Sequence, residues 1–241
     1  MATSSRPLYT LSPRLAACAA LVRPGRAMID VGTDHAYLPI WLLKTESICR
    51  AVACDINPGP LDTAFRHAQR YQVQEKLRLV LSDGLRELTS KDGDDIVIAG
   101  MGGELILRII QETSWLLSPE KRLILQPMSM VGPLRLGLAK LGFQVQDESA
   151  VIDAGKVYSA FSAEYTGKEI PVNHLYPYMG QLQPGSFTAK QYAHKTLRGI
   201  RGLLQGAEHT GDLQTVRELR KIIDEITKKY ILPGDNYGEN L

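Results

Sequence analysis

A largely parallel α/β sheet that closes with an antiparallel hairpin, followed by a helical hairpin, is the fold this sequence predicts. Three observations predict it. Short apolar runs alternate with helix-period segments between residues 27 and 141, the pattern of a parallel sheet with helices on both faces. Asp153-Ala154-Gly155-Lys156 then joins two β-patterned runs through a tight turn, so those strands run antiparallel. From residue 188 on, two apolar stripes recur at helical spacing.

Taken in order, Ser12-Pro13 reads as an N-cap and first helical residue ahead of Arg14-Leu15-Ala16-Ala17-Cys18-Ala19-Ala20-Leu21-Val22. Residues 1–29 hold Arg6, Arg14, Arg23 and Arg26 and no acid, a composition shared with organelle transit peptides. The cap pattern favours a folded first helix. Ala27-Met28-Ile29 opens a strand that runs into Asp30-Val31-Gly32-Thr33-Asp34-His35-Ala36-Tyr37-Leu38-Pro39, a glycine turn and helix start. A second strand spans 50–55, and Ile56-Asn57-Pro58-Gly59-Pro60 is read as a turn before a helix with Leu61, Ala64, Phe65 and Ala68. Strands at 77–81 and 95–99 end in Ser82-Asp83-Gly84-Leu85 and in a turn, Gly100-Met101-Gly102-Gly103. A fifth spans 122–127, with Pro127 expected to end its ladder. A helix from 131 to 141 and strands at 144–152 and 157–165 follow.

Residues 167–185, with Pro171, Pro177 and Pro184, read as a crossover without a helix. Ala193, Leu197, Ile200 and Leu204 form one stripe; Val216, Leu219, Ile223, Ile226 and Tyr230 form the other. Gly206 and Gly211 are expected to bracket the turn between them, and Gly199 and Gly202 to let the helices approach closely. Residues 233–241 read as a frayed tail. Two domains result: an α/β domain at 1–167, then a linker and helical domain at 168–241.

Hydrophobic residues make up 44% of the 241, enough for a packed core. The three cysteines lack C-x-x-C spacing, so neither a metal site nor a disulfide framework is indicated, which fits a reducing, cytoplasmic setting. No apolar run is long enough to cross a bilayer, and a monomer is expected. The net charge of +2 does not by itself imply a nucleic-acid partner. Residues 190–229, however, hold nine Lys/Arg against five Asp/Glu, which leaves the rest of the chain at −2. A basic helical piece on a slightly acidic body is either an electrostatic footprint for nucleic acid or a solvated helix face.

Four successive strand ends carry polar or glycine-rich turns, at 30–35, 55–57, 83–84 and 99–103. In a doubly wound sheet such ends lie side by side and bind the ligand. The first turn has one glycine where the dinucleotide fingerprint has three, and its Asp30 and Asp34 would repel a pyrophosphate. A cationic ligand with hydroxyls and an amine suits it, and S-adenosylmethionine is one. Asp30, Gly32 and Asp34 are its candidate contacts on the first turn. Asp55, 21 residues after Asp34, is placed to accept ribose hydroxyls, with Ile56 beside it. Asp83, Gly84, Ala99 and Gly100 complete the set. Plain structural roles compete with these: Asp34 as an N-cap, Asp55 as a turn acid before proline, the glycines as close-packing points.

Five parallel strands followed by an antiparallel hairpin is the chain order of a Rossmann-like class I methyltransferase sheet. The first turn, Ile98-Ala99-Gly100-Met101-Gly102-Gly103 and Leu123-Ile124-Leu125-Gln126-Pro127 together resemble the bacterial tRNA (adenine-N1)-methyltransferase family that modifies position 22, the TrmK family. Leu11-Ser12-Pro13-Arg14-Leu15 is similar to that family's first-helix start, and Gly155-Lys156-Val157-Tyr158 to its hairpin turn. The resemblance covers about residues 8–230. It implies a Rossmann-like catalytic domain, a C-terminal helical hairpin that helps hold tRNA, and methyl transfer from S-adenosylmethionine to N1 of adenine. Asp55 stands where members of the family can carry Glu; either serves a ribose.

Such a transfer is an in-line displacement at a sulfonium, which calls for alignment and water exclusion, not a nucleophilic Ser or Cys. Asp34, or the Ala99 and Gly100 carbonyls, would accept from the adenine's amine. His35 and Tyr37 would stack on or hydrogen-bond the base. Gly100, Met101, Gly102 and Gly103 would leave room for it. Gln126-Pro127 would read an adenine edge or close the sheet. Lys190, Lys195, Arg198, Arg201, Arg217, Arg220 and Lys221 are the candidate phosphate contacts. A nicotinamide-dependent oxidoreductase is disfavoured by the missing fingerprint and the terminal hairpin. A catalytically silent tRNA-binding protein would have no need of the strand-end acids. Methylation of another RNA stays open on the residues, and the resemblance points to tRNA.

Overall fold

The computed structural model describes residues 7–231. The elements in chain order are α1 (Pro13–Leu21), β1 (Ala27–Val31), α2 (Tyr37–Lys44), β2 (Arg50–Asp55), α3 (Pro58–Arg70), β3 (Leu77–Leu81), β4 (Asp95–Gly102) and α4 (Gly103–Gln111). Then come β5 (Arg122–Ser129), α5 (Val131–Leu141), β6 (Phe143–Asp153), β7 (Lys156–Tyr165), α6 (Tyr176–Met179), α7 (Phe187–Thr210) and α8 (Leu213–Tyr230). A single 3-10 turn, Asp34–Ala36, separates β1 from α2. One seven-stranded sheet has the order β3-β2-β1-β4-β5-β7-β6. The first five strands are parallel, and β7 is antiparallel to both neighbours. The expected frayed tail at 233–241 lies outside the described residues.

Both faces of the sheet are covered, which is why its central strands read as continuous apolar runs. Ile29, Ile96, Ile98 and Leu123 pack with Ile106 and Ile110 of α4 and Leu134 and Leu138 of α5. Met28, Val97 and Ile124, one residue out of step, pack on the opposite face with Cys18 of α1, Leu38 and Leu42 of α2 and Ala64 of α3. The predicted first helix forms: the Ser12 hydroxyl accepts from the Leu15 amide at 3.4 Å, and Pro13 supplies the first-turn φ.

Several boundaries differ from the sequence reading. α3 starts at Pro58, not beyond Pro60, because a first-turn proline gives up only an N–H that has no partner there anyway. Pro127 does not end β5, and residues 100–102 are strand, not turn. Gly100, at φ +77°, shifts the register between Ala99 and Met101, and beyond it Pro127 pairs with Met101 and Ser129 with Gly102. The crossover contains the one-turn helix α6, whose start is held by the Asn173 side chain accepting from the Leu175 and Tyr176 amides. α7 runs through Gly206 to Thr210, so the turn is only Gly211 and Asp212; Gly211 takes φ +75° and Asp212 caps α8. Open space surrounds Gly199, Gly202 and Gly206, so they do not serve close helix approach, and nothing in the structure explains them. On α8 the buried residue of the middle turn is Ile222, with Ile223 half-buried beside it.

The helical hairpin has its own core of Leu197, Ile200, Leu219, Ile222, Ile226 and Tyr230. A buried ionic cluster fastens it to the sheet. Arg135 on α5 and Glu148 on β6 pair with both side chains fully buried. A bulge in β6 between Val145 and Glu148 re-aims Glu148 inward. The guanidinium also donates to the Pro177 carbonyl at 3.1 Å, to the Tyr192 hydroxyl at 3.3 Å and to Ser159 at 3.4 Å. Glu148 accepts from the Gln181 amide at 2.7 Å. Burial by itself disfavours the charge on Arg135, but Glu148 and the Tyr192 hydroxyl more than offset it, and the guanidinium stays ionised. Lys195 adds a second tie, donating to the Val157 carbonyl at 2.8 Å while lying over Tyr158 and Tyr192.

Removing one member of a buried pair strands the other. Glu148→Ala is therefore expected to cost about 3–5 kcal/mol, measured as a lower urea midpoint. Gly180 sits at φ +56°, and a Cβ there would fall 2.1 Å from Glu148 Oε2, so Gly180→Ala is expected to lower the midpoint too. Wild-type midpoints for both variants would remove the cluster from any account of stability.

Candidate active site

β1 and β4 are neighbours, yet the chain leaves them toward opposite edges of the sheet. A crevice opens above that point. The carboxyl ends of β1, β2 and β4 and the turn after β3 meet there around a cavity of about 650 Å³. That is a usual size for a small-molecule site. Asp30, Gly32, Asp34, Asp55, Ile56, Asp83, Gly84, Ala99 and Gly100 all line it, as do Tyr37 and Met101.

Local chemistry explains each turn. Gly32 adopts φ +70°, and a Cβ on it would stand 2.2 Å from the Met101 methyl, so the two turns touch only because position 32 is glycine. The Gly32 and Thr33 amides donate to the Cys54 carbonyl at 2.8 and 3.0 Å, tying the first turn to the end of β2. Asp34 is not the N-cap of α2; Ala36 holds that place in a left-handed conformation. Asp55 uses Oδ1 to accept from the Asn57 amide at 2.8 Å, which leaves Oδ2 for a ligand. Ser82 is buried and ties the third turn, donating to the Gly84 carbonyl at 3.0 Å and accepting from the Glu87 amide at 3.2 Å.

The cavity is acidic. Asp30, Asp34, Asp55 and Asp83 face Arg14 and Arg108. Asp30 is buried and accepts from the Thr33 hydroxyl. Burial pushes its carboxyl up to about 6; the Thr33 hydrogen bond opposes the rise and Asp55 adds to it. Such a site repels a pyrophosphate and suits a ligand that carries positive charge, hydroxyls for Asp55, and a carboxylate for an arginine. S-adenosylmethionine has all three, so the residues present fit it.

Some expected contacts lie elsewhere. His35 does not line the cavity; its Nε2 is 3.1 Å from Asp34 Oδ1 and its ring packs against Tyr37 and His67. Gln126 is fully buried and reads no base edge. It accepts from the Gly100 amide at 3.2 Å and from Arg14 Nη1 at 3.3 Å, and donates to the Pro127 carbonyl at 3.1 Å. Pro127 is buried beside it. Gly102 and Gly103 also lie off the cavity; a Cβ on Gly103 would fall 2.4 Å from the Met130 carbonyl oxygen, so this glycine serves packing. Lys195 is engaged as described above.

Arg198 and Arg201 on α7 are exposed. Arg217 donates to its own helix at Leu213, Arg220 pairs with Glu208 at 2.8 Å across the hairpin, and Lys221 lies 4.0 Å from Glu225. Lys190 is half-buried on α7.

Sequence reasoning missed Arg14. It lines the cavity from α1, with Nε donating to Asp153 at 2.7 Å and the guanidinium 5.4 Å from the Tyr158 ring centre. Its segment, Leu11-Ser12-Pro13-Arg14-Leu15, reads as a capped helix start similar to the family's first helix, without a role for the arginine. Ser12, Asn57, Ser82, Leu105, Arg108 and Met128 line the cavity as well.

A parallel sheet closed by this hairpin, with an acidic crevice at its switch point, defines a class I S-adenosylmethionine-dependent methyltransferase. A methyltransferase-domain family model matches residues 11–161. The tRNA (adenine(22)-N(1))-methyltransferase of Bacillus subtilis (strain 168) is 33% identical over 181 residues, 75% of this chain and 76% of its own length. A Streptococcus pneumoniae protein described as a candidate tRNA (m1A22) methyltransferase, solved with S-adenosyl-L-methionine, superposes with a TM-score of 0.77 at 30% identity, over 89% of this chain and 100% of its own. TrmK of M. capricolum, solved with S-adenosyl-homocysteine, superposes with a TM-score of 0.74 at 25% identity, over 90% of this chain and 100% of its own. The chain belongs to the tRNA (adenine(22)-N1)-methyltransferase family.

Asp30 ionises in the unfolded chain near 3.8 and in the folded chain near 6. Between those values the folded state holds the extra proton, so this group's contribution to stability falls as pH rises through the window. Asp30→Asn is expected to raise the melting temperature of the ligand-free protein at pH 7–8, with the gain shrinking toward pH 4. The same variant is expected to bind S-adenosylmethionine more weakly in titration calorimetry. A variant that melts lower than wild type at pH 8 would contradict this reading of Asp30.

Proposed function

We propose that this protein transfers a methyl group from S-adenosylmethionine to N1 of adenine 22 in tRNA. The observation that carries the proposal is the meeting of four acid- or glycine-bearing strand ends at one acidic cavity, in a chain of this family. Asp55 would hold the donor's ribose hydroxyls through its unused oxygen; Ile56, Asp83 and Gly84 would take its purine, and Asp30, Gly32 and Arg14 its amino-acid end.

When bound, the donor supplies an electrophilic methyl on a sulfonium. The acceptor N1 of neutral adenine already carries a lone pair, so the protein supplies no base to free it. As positive charge develops on the ring, the exocyclic amine becomes a stronger donor. Asp34, exposed at the rim, and the Ala99 and Gly100 carbonyls, whose residues line the cavity, accept from it in this reading. Tyr37 and Met101 also line the cavity and position the base in this reading.

Adenine N1 lies on the pairing edge, so the base is drawn out of the tRNA core. Arg198, Arg201, Arg217, Arg220, Lys221 and Lys190 on the helical hairpin take backbone phosphates, and recognition rests on shape. Lys195, held in the packing, is left out of that set. In this reading residues 1–167 do the chemistry and 168–241 hold the RNA. The protein acts as a cytoplasmic monomer; no helix among the described residues is long and apolar enough to cross a membrane.

Incubation with unmodified tRNA transcripts and methyl-labelled donor, followed by nucleotide mapping, tests the reaction. Label is expected at N1 of adenine 22 and absent when that base is guanine; label on another nucleotide overturns the substrate assignment. Asp55→Ala is expected to weaken donor binding about 10- to 100-fold, the range for a charge-assisted hydrogen bond. Replacing Arg198, Arg201 and Arg217 by Gln is expected to flatten the slope of log affinity against log salt by about 0.7–0.9 for each phosphate no longer neutralised. An unchanged slope removes these residues from the RNA surface.

A further inference from the structure

The turn that carries Asp34 and Tyr37 into the cavity is strained. His35 has φ 61°, ψ 11° and Ala36 has φ 57°, ψ 31°, two consecutive residues with a Cβ in the left-handed region. Such conformations are costly for residues with a side chain and persist only where their surroundings hold them. Neither residue is glycine, and the backbone hydrogen bonds within the turn are short-range: Asp34 amide to Gly32 carbonyl and Ala36 amide to Thr33 carbonyl.

Two side chains from elsewhere grip the turn's own carbonyls. His67, on α3, places Nδ1 3.2 Å from the His35 carbonyl oxygen. A carbonyl has no proton to give, so Nδ1 is the protonated nitrogen and the donor. Tyr9, ahead of α1, donates its hydroxyl to the Tyr37 carbonyl at 2.5 Å. The same rings close around the turn: Tyr9 meets Tyr37 edge-on at 5.3 Å, and His67 lies 5.4 Å from Tyr37 and 6.1 Å from His35. Tyr71, also in contact with Tyr9, backs the cluster at 5.3 Å. Within the turn, His35 Nε2 lies 3.1 Å from the Asp34 carboxylate, so the brace on His35 acts next to that carboxylate.

We propose that His67 and Tyr9 are positioning residues for methyl transfer, bracing the strained 34–37 turn through its carbonyls so that Asp34 and Tyr37 face the acceptor base. The proposal rests on the reading of the cavity given above. The Asp55 and Asp83 turns lie outside the brace and keep their own hydrogen bonds, so donor binding is separable from base alignment.

His67→Ala and Tyr9→Phe are the test variants. The second removes a single oxygen and keeps the ring packing. Both are expected to lower kcat about 10- to 100-fold, the effect of an ångström-scale misplacement, with the S-adenosylmethionine Kd and the tRNA KM near wild type. His67→Asn, whose amide nitrogen takes the place of Nδ1, is expected to recover most of the rate, and His67→Gln, whose nitrogen reaches beyond it, is not. Amide hydrogen exchange over residues 33–38 is expected to speed up in His67→Ala and Tyr9→Phe while β4 is unchanged. Wild-type kcat in both variants overturns the proposal, and so does a kcat loss matched by an equal loss of donor affinity. If the wild-type enzyme leaves tRNA unmethylated, the assigned activity fails. The exchange experiment then decides the brace on its own, with unaltered exchange ending it.

Discussion

Everything at the active rim follows from the pairing of β1 with β4, Asp30 beside Val97 and Val31 beside Ile98. The chain builds β1, β2 and β3 outward to one edge, returns across the sheet, and builds β4 and β5 toward the other. Right-handed crossovers then send the connections from β1 and β4 to opposite faces, and the space between them cannot be filled by either. The crevice is a consequence of connectivity. What fills its walls is a matter of residue choice: Gly32 and Met101 let the two loops touch, and a larger residue at 32 would force them apart.

The walls carry four carboxylates, Asp30, Asp34, Asp55 and Asp83, against Arg14 and Arg108 of the lining and Arg86 beside Asp83. Asp30 is buried and accepts from the Thr33 hydroxyl, and its ionised form is disfavoured by burial and by Asp55. A scaffold selected for stability alone would place an amide or an apolar side chain there. The acid is tolerable because a cationic ligand offsets it when bound. The strained turn at His35 and Ala36 has the same character: local conformational cost retained at the place where side chains must face a substrate. Opposite it, Arg14 is held by Asp153 and Gln126, so the rim's positive charge is as firmly placed as its negative ones.

Away from the rim, the Arg135–Glu148 cluster sets the attitude of the helical hairpin. Its members come from α5, β6, β7, α6 and α7, so the basic helices and the sheet share a buried anchor. Buried pairs are weak sources of net stability but exacting ones of geometry, since any misplacement leaves a charge without a partner. In the proposed function, where the hairpin holds RNA and the sheet holds the donor, that rigidity would fix the distance between the two.

The strands, the first helix, the terminal hairpin and the two long helices were legible in the sequence, because each is written in local periodicity and, for the first helix, in the Ser12 cap; the Ser186 and Asp212 caps emerged only from the structure. The acids and glycines at strand ends were legible too, because a parallel sheet places consecutive strand ends on one rim whatever the details. Gln126 stayed between two readings, a base contact and a sheet-closing residue, because nothing local separates a glutamine that faces a base from one buried to hold the Gly100 amide. Pro127 was misread because a bulge at Gly100 lets both strands continue, and bulges leave little local signal. Arg14, His67 and Tyr9 could not have been placed. Their partners are Asp153, the His35 carbonyl and the Tyr37 carbonyl, 139, 32 and 28 residues away. Sequence alone therefore determined the main strands and helices, apart from the one-turn α6 and some boundaries, and which strand ends carry acids and glycines, since hydrophobic period and capping act within a few residues. Tertiary structure decided which side chains reach the cavity and which hold it in shape. Those contacts exist only once sheet order and helix packing have brought distant segments within hydrogen-bonding distance.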